Sequence, residues 1–222
     1  MTILDYRYCC AKIKFMKENN FVYLLYGKIY INLTNLCTND CVFCIRAIKD
    51  DVVGANLFLS EEKVDMTELK KQLNDIKPEN YKEIVFCGYG EPMLRLEELK
   101  ETAKYIREKY PHLKIRINTN GQANLIYKRN VVPELVGLID SISVSFNGEN
   151  EEVYNAISLP KLPHAYESMK EFIKECVKHN IETTATIVTG YKDYKVDLEN
   201  CKSQIEAMGA NFRERPWIEN GY

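Results

Sequence analysis

Residues 28–44 read KIYINLTNLCTNDCVFC, and the rest of the chain is best read outward from this stretch. Ile29, Ile31 and Leu33 alternate with Tyr30, Asn32 and Thr34. Successive side chains of a strand point to opposite faces, so Lys28–Thr34 is predicted to be a half-buried strand. Immediately after it, Cys37, Cys41 and Cys44 fall within eight residues, at spacings of four and three. Soft thiolates at that density suit an iron–sulfur cluster, zinc or copper(I). A closed structural zinc site needs four ligands. No fourth is evident, because His112, His164 and His179 fall on predicted helices or their ends.

Downstream, helical and strand periodicities alternate. Helices are predicted over Asp65–Ile76, Arg95–Tyr110, Ala123–Gly137 (interrupted near Pro133), His164–Lys178 and Asp197–Met208. Strands are predicted over Glu83–Gly88, Lys114–Asn120, Ser141–Asn147, Ile181–Val188 and Asn211–Trp217. Six strands separated by helices imply parallel pairing with right-handed crossovers. The fold class is therefore α/β, as an open, partial (β/α)6 TIM-like barrel of parallel strands, with a doubly wound sheet as the alternative. Residues 28–222 form the predicted core domain, and residues 1–27 an N-terminal extension without a clear pattern. In either architecture the active site lies at the C-terminal ends of the strands. Several predicted strands carry one polar face: Tyr30, Asn32 and Thr34; Arg116 and Asn118; Ser141, Ser143 and Ser145. The apolar faces should meet helices, and the polar faces should line a cavity.

Composition narrows the function. Thirty basic and 32 acidic residues give a net charge of −2, which offers no general attraction for nucleic acid or membrane. No apolar run approaches the ~20 residues needed to span a bilayer, and no secretory pattern precedes the first strand. A cytoplasmic location is expected, where the eight cysteines should be mostly reduced. Cys87, Cys176 and Cys201 read as core residues, and the adjacent Cys9 and Cys10 lack ligand spacing.

Four segments at strand ends together resemble the radical S-adenosylmethionine (SAM) superfamily. They are Cys37–Cys44 with Phe43 before the third cysteine, Cys87-Gly-Tyr-Gly-Glu-Pro-Met93, Asn118-Thr-Asn-Gly121 and Ser143-Val-Ser-Phe-Asn147. Within that superfamily, INLTNLCTNDCVFCIR, IVFCGYGEP and RINTNGQANLI are similar to the small proteins that accompany TatD-family hydrolases. Leu36 departs from that pattern, standing where a basic residue is expected. The resemblance implies a 4Fe–4S cluster on Cys37, Cys41 and Cys44. It implies reductive cleavage of SAM to a 5′-deoxyadenosyl radical that abstracts hydrogen from a substrate. It also implies an electron donor such as flavodoxin or ferredoxin, and a possible functional link to a TatD-family hydrolase. Gly88 and Gly90 would let the backbone approach SAM closely and adopt positive φ. Backbone carbonyls or Glu91 would accept from the SAM ammonium. Thr119 and Ser145 match positions near its ribose and carboxylate, and Phe43 and Val188 would flank the adenine. A glycyl-radical activase or a deazaguanine-type synthase fits a chain of this size too. Outside enzymology, the alternatives are a cluster- or SAM-binding sensor and a zinc-binding interaction module.

Strand parity adds a substrate expectation. Arg213 and Arg215 share a face of the last predicted strand, and Arg116 and Glu182 would project inward by the same rule. With Asn32, these residues mark an anionic substrate held by Arg213 and Arg215 near the barrel mouth, because a buried guanidinium needs an acidic partner; the alternative is that the two arginines lie at a C-terminal edge and are solvated.

Overall fold

The computed structural model describes residues 19–52, 54–60 and 63–218. Cys9 and Cys10, and most of the expected N-terminal extension, lie outside the described residues. The strands are β1 (Val22–Leu25), β2 (Lys28–Ile31), β3 (Asp51–Val52), β4 (Ala55–Asn56), β5 (Glu83–Phe86), β6 (Lys114–Thr119), β7 (Ser141–Ser145), β8 (Glu182–Thr189) and β9 (Asn211–Pro216). The helices are α1 (Met66–Asp75), α2 (Leu96–Lys109), α3 (Ala123–Tyr127), α4 (Glu151–Ser158), α5 (Ala165–Lys178) and α6 (Leu198–Ala207).

The main sheet runs β1-β2-β5-β6-β7-β8-β9. From β2 to β9 every neighbouring pair is parallel, as the alternation of periods predicts. An additional edge strand, β1, pairs antiparallel with β2 through the turn at Tyr26-Gly27. That turn places both residues at positive φ, which a glycine adopts without steric cost. The sheet thus starts before residue 28, where the polar Tyr and Asn content obscures the alternation.

Helix ends follow local capping chemistry. Asp65 caps α1 by accepting from Thr67 N and Glu68 N, and Asp197 caps α6 by accepting from Asn200 N. Asn150 does the same for α4 through Val153 N. Helix α4 is absent from the sequence reading because its eight residues are too few for a resolved stripe. The segment expected to be helical over 123–137 breaks earlier than Pro133, at the left-handed Lys128, and resumes as a 3-10 turn over Val132–Leu135.

Outward-facing Ile29, Ile31, Ile84, Phe86, Ile115, Ile117, Ile142, Val144, Ala185 and Ile187 share one buried core with residues of all six helices. Each fully buried Ile or Phe there contributes roughly 1.5–3 kcal/mol. Helices on one face only distinguish a partial barrel from a doubly wound sheet, which is covered on both. The concave face is divided. Under β1, β2 and β5 it holds a smaller apolar cluster, Tyr23, Tyr30, Val85, Leu57 and Tyr89, closed by the β3–β4 hairpin. Under β6–β9 it is polar, carrying Asn118, Ser143, Ser145, Thr184 and Thr186 by strand parity.

Candidate metal and cofactor site

The cysteine loop leaves β2 at the C-terminal end of the parallel strands and is strapped down from three sides. Arg46 donates to Asn35 O (3.1 Å) and Asn39 O (3.2 Å) and pairs with Asp40 at 2.6 Å. Lys161 pairs with Asp40 at 3.1 Å and donates to Cys37 O at 3.3 Å. The end of α4 and the chain after it lie along the loop: Asp40 N donates to Leu159 O, Val42 N to Ile157 O, and Lys161 N to Thr38 O. Beneath it is a buried amide network. Gln122 Nε2 donates to Asn39 Oδ1 (2.7 Å) and to the Tyr154 hydroxyl (3.1 Å), and Asn39 Nδ2 reaches that hydroxyl at 3.5 Å. Asn120 Nδ2 donates to Thr38 Oγ1 at 2.8 Å. A loop fixed by this many donors holds its thiols in place before any ligand arrives.

Cys37, Cys41 and Cys44 are free thiols, each partly exposed. The Asn39 amide donates to Cys37 Sγ at 3.4 Å. Burial, followed by the charge of Glu91, pushes the Cys37 thiol up to about 11. Burial and the neighbouring Cys37 and Cys44 push Cys41 up to about 12. Thiols that resist ionisation singly are ionised together by a bound metal centre, whose positive charge reverses the local balance. Among the described residues no three His, Cys, Asp or Glu side chains converge on one metal-ion site. A 4Fe–4S cube gives each thiolate its own iron, so three separate thiols on one loop are a matching donor set.

The segment after β5 docks against this loop. A Cβ on Gly90 would collide with the backbone carbonyls of Thr34 and Leu36, and one on Gly88 with the Asn32 side chain. Neither glycine has positive φ, which corrects the expectation drawn from their type. What both supply is the missing Cβ, and it is the protein's own chain that approaches. Glu91 is buried, and its carboxylate accepts from Met93 N (3.0 Å), Thr119 Oγ1 (2.7 Å) and Asn120 N (2.7 Å). Burial pushes its carboxyl up to about 7 against the pull of those three donors. Glu91 and Thr119 therefore tie β5 to β6 and are turned toward each other.

Phe43 meets Tyr191 edge-on at 6.2 Å between centroids, and Tyr191 packs on Trp217 at 5.0 Å. These rings come from the cysteine loop, the loop after β8 and the end of β9, so they reach across the mouth of the open barrel. Val188, buried on the inward set of β8, stands opposite Arg215 on β9. Ser145 lies on the inward set of β7 and is half-buried.

The other residues expected to meet substrate are dispersed. Asn32 is fully buried and donates to Leu57 O at 2.7 Å, so it fastens the segment after the hairpin. Arg116, Glu182 and Arg213 line a cavity at the N-terminal ends of the strands, far from the cysteine loop. Arg116 is approached by Glu83 at 2.9 Å and not by Glu182. Arg215 remains toward the C-terminal end, close enough to Cys87 for its charge to favour the thiolate. Cys87 itself directly follows β5 and packs against the inward cluster of Tyr30 and Val85, not among the helices. Burial nevertheless holds its thiol above the ordinary range, with an opposing hydrogen bond from Asn118. Gln122, Tyr154 and Tyr191 escape the sequence reading because only the tertiary fold brings them to the loop, whereas Asn39 and Arg46 lie in or beside the cysteine motif and only their partners needed the fold. Asn120 had a signal, its place in Asn118–Gly121.

Three uncrosslinked thiols after the first parallel strand of a partial barrel make the loop a candidate site for a thiolate-bound metal centre. The chain belongs to the radical SAM superfamily, whose family model matches residues 31–204. It is 26% identical over 132 residues to the FeMo cofactor biosynthesis protein NifB of Chlorobaculum tepidum, covering 58% of this chain and 30% of that protein. It is 23% identical over 196 residues to the dual-specificity RNA methyltransferase RlmN of Buchnera aphidicola, covering 82% of this chain and 51% of that one. Among solved structures, Streptococcus suis SuiB bound to S-adenosylmethionine superimposes with a TM-score of 0.60 at 15% identity, covering 96% of this chain and 43% of SuiB. The chain thus spans about a third to a half of the length of these curated relatives. No helix among the described residues is long and apolar enough to cross a membrane.

Proposed function

We propose that this chain is a radical SAM enzyme, with Cys37, Cys41 and Cys44 as the ligands of a 4Fe–4S cluster. The observation that carries this reading is the strapped loop of three free thiols at the C-terminal end of a parallel barrel with a polar interior. When bound, the cluster and SAM would supply reductive, one-electron cleavage of SAM and hydrogen abstraction from a substrate. Cys37, Cys41 and Cys44 would hold the cluster through three thiolates, short of the four of a fully cysteine-ligated cube.

The chain's own residues then divide the remaining work. The backbone carbonyls of the 88–91 segment accept from the SAM ammonium, since the Glu91 carboxylate already has three donors. Ser145 faces the ribose and carboxylate side. Phe43 and Val188 flank the adenine and exclude water, and Tyr191 supports Phe43 from behind. Arg215 is the inward cation placed to meet an anionic group on the substrate. The Arg46–Asp40–Lys161 strap and the Asn39–Gln122–Tyr154 network position the loop.

A cytoplasmic location and a flavodoxin- or ferredoxin-type electron donor accompany this reading. So does a functional link to a TatD-family hydrolase, which rests on the similarity of the segments around Cys37–Cys44, Cys87–Pro92 and Asn118–Gly121 to that subgroup. The test is anaerobic reconstitution with iron and sulfide, then reduction in the presence of SAM. Stoichiometric iron and formation of 5′-deoxyadenosine are expected. Iron without 5′-deoxyadenosine would instead favour a cluster-bearing sensor, and zinc without sulfide would favour an interaction module.

A further inference from the structure

A cavity of about 890 Å3 opens at the N-terminal ends of the parallel strands, the end of the barrel away from the cysteine loop. Its size lies within the range of small-molecule sites. Lys28, Lys82, Lys114, Arg116 and Arg213 line it, against only Glu83 and Glu182. Five cations to two carboxylates is a local excess in a chain whose net charge is −2. A concave site lined by one sign of charge concentrates ions of the other.

Lys28 and Arg116 both turn to the same residue, Glu83. The Arg116 side chain is only 15% exposed, and its Nε, though 2.9 Å from Glu83, has no hydrogen bond of acceptable geometry among the described residues. A guanidinium N–H held to its carboxylate at poor hydrogen-bond geometry is incompletely satisfied, and an anionic ligand would supply a better-aligned acceptor. Ser141, Ser143 and Thr184 add hydroxyl donors to the wall.

We propose that this cavity binds a phosphate-bearing small molecule, with Arg116 and Arg213 as the principal contacts to its phosphate oxygens. The planar fork of arginine matches phosphate geometry in a way that a point charge does not. The concavity of the site and the absence of a basic excess over the whole chain favour a small ligand over a nucleic acid. The site is separate from the one proposed for SAM, and its occupancy does not depend on the cluster.

Calorimetric titration of the full chain with inorganic pyrophosphate at low ionic strength tests the proposal. A parallel titration uses potassium chloride matched for ionic strength. Saturable binding is expected, weakened at least about tenfold by Arg116→Gln with Arg213→Gln. Because Arg116 also contacts Glu83, a second variant removes only exposed lysines: Lys82→Gln with Lys114→Gln should weaken binding about threefold or more. Iron retention after reconstitution should match wild type in both variants. The proposal is overturned if wild type shows no saturable binding, if chloride at matched ionic strength reproduces the heat, or if the folded lysine variant binds with wild-type affinity.

Discussion

Gly90→Ala is the most informative single perturbation of this protein. The added Cβ would meet the carbonyl oxygens of Thr34 and Leu36 and lie 2.9 Å from the Asn35 carbonyl carbon. All three are backbone atoms, so no rotamer change relieves the collision, and the 34–36 segment or the 88–91 segment must move. Overpacking of this kind costs about 1–3 kcal/mol. The displacement also strains the hydrogen bond from Glu91 N to Leu36 O, now 2.8 Å, which adds about 0.5–1.5 kcal/mol. A total near 2–4 kcal/mol should lower the melting temperature by roughly 5–15 °C at this chain length. The shift falls directly before Cys37, so iron retention after anaerobic reconstitution should drop with stability. Scanning calorimetry of the apo protein and iron assay of the reconstituted protein measure the two effects. Wild-type melting and full iron content in Gly90→Ala would refute the close backbone contact and with it the docking of the two segments.

Three further outcomes follow from the same geometry. Replacing Cys37, Cys41 or Cys44 singly with Ala should abolish cluster retention, while Cys176→Ala and Cys201→Ala, fully buried among the helices, should alter stability and leave iron content unchanged. Normal iron in Cys41→Ala would contradict the assigned ligand set. Tyr154→Phe removes the hydroxyl that accepts from Gln122 and Asn39, stranding buried donors at a cost of about 1–3 kcal/mol. Urea unfolding should report that loss, with faster iron release from the reconstituted protein; unchanged values for both would remove the network from the account of the loop. The Glu91 carboxyl is raised from 4.5 to about 7 in the folded chain, so its contribution to stability is fully present below pH 4.5 and is lost as pH rises through 7. Relative to Glu91→Gln, apo wild type should lose about 3 kcal/mol between pH 4 and 8. A difference curve that is flat or rises with pH would show that the three donors outweigh burial.

How much of this was legible before the fold was known depends on the range of the interaction. Periodicity is a local property. Ser141–Ser145 alternates and Ala165–Lys178 carries a stripe whatever their neighbours, so the six parallel strands and the long helices could be read from the chain. The cysteine spacing was equally local, and so was the position of each motif at a strand's C-terminal end. Short elements were not legible. The two-residue strands β3 and β4 and the eight-residue α4 are too brief for a period to register, and they hold their shape through tertiary contacts. Strand parity correctly sorted inward from outward faces, because alternation fixes the face. It could not give height along the barrel or the nearest partner. Arg116 and Arg213 therefore belong to the inward set yet stand at the N-terminal end, while Glu83 reaches Arg116 from the neighbouring strand. The same limit explains Gly90 and Glu91. Their types announced a close approach and an acceptor, but only the packed chain shows that the approaching atoms are Thr34 O and Leu36 O, and that the donors are Met93, Thr119 and Asn120.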